Sequence, residues 1–218
     1  MLALITCGPA SAPIDRVRRI TNFSTGEIGA ALAGAFRREG FDVVCFRGEG
    51  ASFPMPAECE VRPFATNESL AAGLQGLAAA PDVVLHAAAL SDFEVEGIEG
   101  ADGTHKLSSR SGTIRLTLRP ARKLLPELRG WFPNARIIGW KYELDGTGDQ
   151  AIGRAAAQIA AARTDACVVN GAAYGAGFGL LAAAGQLEHF PDKAALAAAL
   201  ARREKDFSDG PHPVRVRA

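Results

Sequence analysis

Short apolar runs alternate along this chain with stretches whose apolar positions recur every three or four residues. LALITC at 2–7, FDVVCF at 41–46, CEVRPF at 59–64, DVVLHAA at 82–88, ARIIGW at 135–140 and DACVVNG at 165–171 have the length and composition of buried strands. Ile28, Ala31, Leu32, Ala35 and Phe36 form a helical stripe that Gly40 ends, and Leu70, Leu74 and Leu77 form a second. Ser24 and Glu27 stand at capping-box spacing before the first of these helices. Further helices are expected at about 121–130, over an Ala-rich stretch at 149–162, and at 192–205. QLEHF at 186–190 reads as a short edge strand, and the tail SDGPHPVRVRA as loose chain. Strand and helix thus alternate, which predicts an α/β fold: a Rossmann-like, three-layer, mostly parallel sheet covered on both faces.

Two stretches break the alternation. Residues 8–23 read as a long connection containing Pro, Asp and Arg. Residues 90–112 are polar and Gly-rich; TIRLTL at 113–118 then alternates like a strand, with Arg115 and Arg119 facing away from Ile114, Leu116 and Leu118. No repeat or linker divides the 218 residues, so one domain is expected over 1–218, with an insertion at about 90–119.

Charge and cysteine content narrow the partners. The 24 Lys and Arg balance 24 Asp and Glu, which argues against nucleic acid but leaves room for a local basic pocket. No apolar run is long enough to span a membrane, and MLALITCGP is too short for a signal peptide, so no membrane partner is expected. Cys7, Cys45, Cys59 and Cys167 lack metal-knuckle spacing and sit in or beside apolar runs. They read as buried free thiols in a reducing cytoplasm, with no protein metal site.

Ligands of open parallel sheets lie beyond the carboxyl ends of the strands, which gathers 7–29, 89–92, 139–143 and 169–171. Gly8 has no GxGxxG continuation, and no Gly-Lys-Ser/Thr follows it. Ser24-Thr25-Gly26 instead opens a helix, where backbone N–H groups and the helix dipole can hold phosphate oxygens; the same turn also suits an ordinary capped helix. Asn22 can donate to a carboxylate or a developing oxyanion, or bond its own turn. One of Arg16, Arg18 and Arg19 can meet phosphate, or all can face solvent. Asp92 can bind a ribose hydroxyl, a cytosine amino group or a magnesium-bound phosphate, or cap its loop. Lys106 is either a solvated charge or, if the insertion folds over the pocket, a stabiliser of negative charge; His105 reads as structural or exposed. Trp140 and Tyr142 flank Lys141, offering a stacking face and a phosphate contact, although Trp140 equally suits the core. Asn170 can contact ligand or cap its turn.

CGPASAPIDRVRRITNFSTGEIG, DVVLHAAALSDFEV, the stretch from HKLSS to GWKYE, and TDACVVNG together resemble phosphopantothenoylcysteine synthetase. The resemblance covers nearly the whole chain. It implies a ligase of coenzyme A synthesis that activates 4'-phosphopantothenate with CTP or ATP and Mg2+. An acyl-nucleotide forms and pyrophosphate leaves; cysteine then displaces the nucleoside monophosphate. It implies a homodimer in which the insertion covers the active site and meets the partner, with TIRLTL supplying an added strand. FMN is not expected. By position, Asn22 matches the asparagine at the acyl carbonyl, Lys106 the loop lysine needed for the intermediate, and Ser24, Thr25 and Gly26 the anion turn. Asp92, Trp140 and Asn170 match nucleotide-pocket positions, with Gly8 and Lys141 beside them. The family's Gly-Gly-Thr is here Gly8-Pro9-Ala10, which removes an N–H and a hydroxyl. Gln158 and Ala162 stand about where bacterial members carry lysines. Three other readings stay open: a diverged paralogue that binds a nucleotide or phosphorylated acid without this activity, a nicotinamide-dependent reductase, and a non-catalytic binding or structural module. The missing GxGxxG and the lack of a lysine four residues after Tyr142 or Tyr174 count against the reductase.

Overall fold

The computed structural model describes residues 1–100, 106–108 and 112–209. In chain order the elements are β1 (Leu2–Cys7), β2 (Ser11–Pro13), β3 (Arg19–Thr21), α1 (Glu27–Arg38), β4 (Asp42–Gly48), β5 (Glu60–Phe64), α2 (Asn67–Gln75), β6 (Val83–His86), β7 (Phe93–Glu99) and β8 (Arg115–Pro120). They continue with α3 (Leu125–Trp131), β9 (Arg136–Tyr142), α4 (Gly148–Ala162), β10 (Ala166–Asn170), β11 (Phe178–Ala182), β12 (Leu187–Phe190) and α5 (Lys193–Asp209). The tail expected to be loose starts later than expected, since Ser208 and Asp209 continue α5; its remainder, 210–218, and His105 fall outside the described residues.

Eight strands form the main sheet in the order β12-β11-β10-β9-β6-β1-β4-β5. All neighbours from β10 to β5 are parallel, and β11 and β12 add an antiparallel edge. The mostly parallel sheet expected from the continuous apolar runs is therefore present, with one difference. FGLLA at 178–182 is a strand that the Gly- and Ala-rich sequence around it conceals.

Alternate residues of the parallel strands feed two faces. Ile5, Cys45, Leu85, Ile138 and Val168 join Leu32 and Phe36 of α1 and Leu196 and Leu200 of α5 on one side. Leu4, Val84 and Ile137 meet Leu70 and Leu74 of α2 and Leu128 of α3 on the other, while Cys167 and Val169 meet Ala155 and Ile159 of α4. Full burial of a side chain such as Phe36 or Leu74 stabilises by about 1.5–3 kcal/mol. All four cysteines are buried and free.

Three local expectations need correction. Residues 8–23 contain a hairpin, with Ser11 opposite Thr21 and Pro13 opposite Arg19. Helix α1 begins at Glu27, and its N-cap is Gly26 in the left-handed region (φ 79°), with no capping side chain, so Ser24 and Glu27 do not form a capping box. Reciprocal capping occurs instead at α2, between Thr66 and Ser69, and at α4, between Thr147 and Gln150. Finally, the strand of the insertion runs over Arg115–Pro120 and pairs antiparallel with β7 in a separate two-stranded sheet. That sheet leaves Phe93, Leu116 and Leu118 exposed.

At the amino ends of β9 and β10 the sheet is tied by charge. Asp165 accepts from Arg129 (2.7 Å) and from the Ile137 N–H (2.8 Å). Arg136 reaches Glu204 of α5 at 2.5 Å and lies over the Phe207 ring. The Glu204 side chain is only 2% exposed. Burial pushes its carboxyl above the usual range, against the pull of Arg136.

Candidate functional site

The chain leaves β1 toward β4 and β5, then returns to β6 on the other side of β1, so the sheet order reverses between β1 and β6. Ligands of such sheets bind at that reversal, beyond the carboxyl ends. Here the first step past the strands stays paired. Ala89 N donates to Gly8 O (2.9 Å), and Ala10 N donates to Ala89 O (3.0 Å). This pairing makes no use of a proton on the Pro9 nitrogen, so proline fits where the sequence suggested only a loss.

Beyond Ala10, Ser11 N donates to Ala65 O (2.8 Å) and the Thr21 hydroxyl to Ala10 O (2.8 Å), hanging the β2–β3 hairpin on the sheet. The chain then turns into α1 through 22–26. Asn22 Nδ2 donates to Leu90 O (2.7 Å), joining this turn to the loop after β6. Gly26 takes its positive φ against Ala51, 3.0 Å from where a Cβ would sit. Thr25 O accepts from Ser52 N (3.1 Å) and Phe53 N (2.9 Å), so the loop after β4 is moored to the same turn.

Hairpin, turn and β4 loop enclose a cavity of about 380 Å3. Asn22, Ser24 and Thr25 line it, together with Arg19, Glu49 and Ser52. Phe23, at its edge, is fully exposed. Arg19 and the hydroxyls of Ser24 and Thr25, just before the start of α1, offer a wall suited to an anion, with the Thr25 hydroxyl also accepting from Glu27 N at 3.3 Å. Glu27 of the first helical turn, which would oppose an anion there, is paired with Lys193.

The other expected residues stand apart from this cavity. Gly8 and Gly26 do not line it; both come close to Ala51. Asp92 is 65% exposed and paired with Lys123, a partner absent from the sequence reading. Trp140 is partly buried against the core beneath α1 and α5. Lys141 lies 3.2 Å from Glu143. Burial raises the Glu143 carboxyl, but hydrogen bonds from Lys141 and Arg154 more than offset it and hold it low. Gln158 donates to Trp140 O (3.2 Å) and Ala162 is buried, so that stretch of α4 serves packing. Asn170 places a buried Oδ1 at the end of β10 with no hydrogen-bond partner among the described residues. A ligand N–H or O–H would satisfy it.

Lys106 is exposed, yet its neighbour Leu107 is 8% exposed and held. Leu107 N donates to Asp15 Oδ2 (3.0 Å), and Arg18 donates to Leu107 O (3.1 Å). Asp15 Oδ1 also takes the N–H groups of Val17 and Arg18, each at 2.8 Å. These donors, that of Leu107 foremost, hold the Asp15 carboxyl well below the usual carboxylate range. Sequence reasoning passed over Asp15; its signal was an aspartate two residues before a free N–H, the Asx-turn spacing. Among the described residues no group of three or more His, Cys, Asp or Glu can hold a metal, and no helix is long and apolar enough to cross a membrane.

Sheet order defines a doubly wound α/β protein with a cavity at its strand ends. Residues 2–203 match the family described as DNA/pantothenate metabolism flavoprotein C-terminal domain, and the chain belongs to that family. It is 38% identical over 152 residues to the coenzyme A biosynthesis bifunctional protein CoaBC of Methanocaldococcus jannaschii, covering 70% of this chain and 36% of that one. The CoaBC protein of Mycobacterium tuberculosis is 29% identical over 184 residues, covering 80% and 43%. This chain therefore spans about two fifths of those relatives. The DNA/pantothenate metabolism flavoprotein of Streptococcus pneumoniae has the same fold, with a TM-score of 0.83 at 22% identity over 95% of this chain and 99% of that one. So has a Cab2 variant solved with phosphopantothenate-cysteine, with a TM-score of 0.71 at 18% identity over 96% and 89%.

Proposed function

We propose that this chain is a phosphopantothenate–cysteine ligase using CTP or ATP. The observation that carries the reading is the gathering of Asn22, Ser24 and Thr25 on one cavity at the strand ends, in a chain that matches the family over residues 2–203. In the first half-reaction a carboxylate oxygen of 4'-phosphopantothenate attacks the α-phosphorus of the nucleotide, and pyrophosphate leaves. The start of α1 holds phosphate oxygens, and Lys106 stabilises the charge that develops. Mg2+ arrives on the triphosphate rather than in a protein cage, as is usual for that ion. Asp92, Trp140, Lys141 and Asn170 line the nucleotide's path, the orphan Oδ1 of Asn170 taking a donor from it. In the second half-reaction the cysteine amine attacks the acyl carbon, with Asn22 Nδ2 donating to the carbonyl oxygen, and the nucleoside monophosphate departs.

The exposed apolar side chains of β7 and β8 provide the homodimer contact in this reading, and the insertion covers the site. Four free thiols accord with a cytoplasmic protein. The test is incubation with 4'-phosphopantothenate, cysteine, Mg2+ and either CTP or ATP, reading pyrophosphate and product mass. Absence of turnover with both nucleotides defeats the proposal, and a monomer in sedimentation defeats the dimer.

A further inference from the structure

The 380 Å3 cavity carries two charges of opposite sign, Arg19 from β3 and Glu49 from the loop after β4. Neither belongs to an ion pair among the described residues. Three other cations toward the strand ends have acidic partners of their own: Arg18 with Asp15, Lys123 with Asp92 and Lys141 with Glu143. A wall of Arg19 and hydroxyls alone would suit a phosphate, but Glu49 opposes a dianion on the same surface. A molecule bearing both an ammonium and a carboxylate matches both. The volume lies at the small end of the roughly 300–1,000 Å3 usual for ligand pockets. Ser24 and Thr25, in the phosphate-holding turn before α1, line the cavity, whereas Asp92, Trp140, Lys141 and Asn170 do not; the nucleotide's other contacts therefore lie elsewhere, and Arg19 and Glu49 are left for a second reactant. Asn22 does line it.

We propose that this cavity is the subsite for the α-amino acid nucleophile, with Arg19 binding its carboxylate and Glu49 its amino group. The inference rests on the ligase reading and deepens it. The amine nitrogen attacks the acyl carbon while Asn22 holds the carbonyl oxygen. The C–N bond forms, and the C–O bond to the nucleotide phosphate breaks, its electron pair leaving with the nucleoside monophosphate. Glu49 first takes a proton from the ammonium, which frees the lone pair for attack, and passes it to water; the second proton, shed by nitrogen as the amide forms, leaves by the same route. Guanidinium–carboxylate recognition makes Arg19 the source of discrimination between an amino acid and the same amine without its carboxylate.

The experiment compares cysteine with cysteamine, which lacks the carboxylate, in the wild-type chain, Arg19→Ala and Glu49→Gln. Exchange of labelled pyrophosphate into the nucleotide, with 4'-phosphopantothenate and no amine, is measured alongside. The wild type is expected to prefer cysteine by about 10- to 100-fold in kcat/KM, and Arg19→Ala to bring that preference to within about threefold of unity. Glu49→Gln is expected to lower kcat for amide formation roughly 100-fold. Arg19 is exposed, so its removal is compatible with folding, and Arg19→Lys, keeping the charge without the fork, should retain part of the preference. An intact preference in Arg19→Ala with normal exchange overturns the subsite and leaves the ligase reading standing. A raised KM for 4'-phosphopantothenate with unchanged preference also overturns it, making Arg19 a phosphate holder. Absence of exchange in the wild type sinks the ligase reading itself.

Discussion

Replacing His86 should remove a specific acid sensitivity of the fold. His86 ends β6, directly beneath the strand-end site, and is 6% exposed, with Nδ1 2.8 Å from the Thr6 hydroxyl. Burial disfavours the imidazolium and pushes its pKa down from 6.5 to about 4. Between those values the unfolded chain binds a proton that the folded chain refuses, so stability rises with pH across that window. The contribution is fully present above 6.5 and is lost as pH falls toward 4. A displacement of that size corresponds to about 3 kcal/mol. Glutamine keeps a hydrogen-bonding partner for Thr6 and cannot titrate. Urea unfolding of wild type and His86→Gln at intervals from pH 4.5 to 7.5 isolates the effect, because other titrating groups are common to both. The wild-type stability, taken relative to the variant, should fall by about 2–3 kcal/mol from the neutral to the acid end. A difference that stays flat within about 0.5 kcal/mol would refute the account of a neutral buried imidazole.

Gly29→Ala would place a Cβ 2.2 Å from that of Cys7, so α1 must lift from β1. The overpacking, about 1–3 kcal/mol, exceeds the helix-propensity gain of about 1 kcal/mol, and Tm should fall by about 2–8 °C; a raised Tm would contradict the close approach. Asn22→Ala should slow amide formation by roughly 100- to 1,000-fold, with acyl-nucleotide accumulating in quenched-flow samples; an unaltered rate would remove Asn22 from the carbonyl. Asp15→Ala should speed hydrogen exchange at the Leu107 amide. In the wild type, the depressed Asp15 carboxyl keeps this tether at pH values above the ordinary range near 3.9 and loses it only as pH falls below that. Equal exchange in both proteins near pH 7 would show that Asp15 does not hold the segment.

The strands that could be read from sequence are those whose apolar residues are buried on both faces, where a continuous run such as LALITC leaves little choice. The missed strands lack that pressure. SAP and RIT are too short to show a period, and their pairing depends on bonds to Ala65 and Ala10. FEVEGIE carries its alternation through a register shift between Val95 and Gly97, which breaks the period just where it would be recognised. Ser24 and Glu27 had capping-box spacing, yet the helix starts on a left-handed Gly26 because the turn must pass close to Ala51. At the site, Asn22, Ser24 and Thr25 were legible because they are contiguous with a helix start. The pairings of Asp92 with Lys123, and of Asp15 with Leu107, join segments far apart in the chain that only the fold brings together.

The Arg129–Asp165–Arg136–Glu204 cluster lies at the end of the sheet opposite the strand-end cavity, so its consequence is thermal. The cost of withdrawing such charges from water shrinks as temperature rises, while the hydrophobic contribution per unit area levels off. The cluster therefore carries a growing share of the fold's cohesion on warming, and it anchors α5 where the neighbouring helix α1 must keep its first turn seated over β1. The temperature range over which the strand-end cavity keeps its shape is in this way set in part from the far end of the sheet, by residues that do not line it.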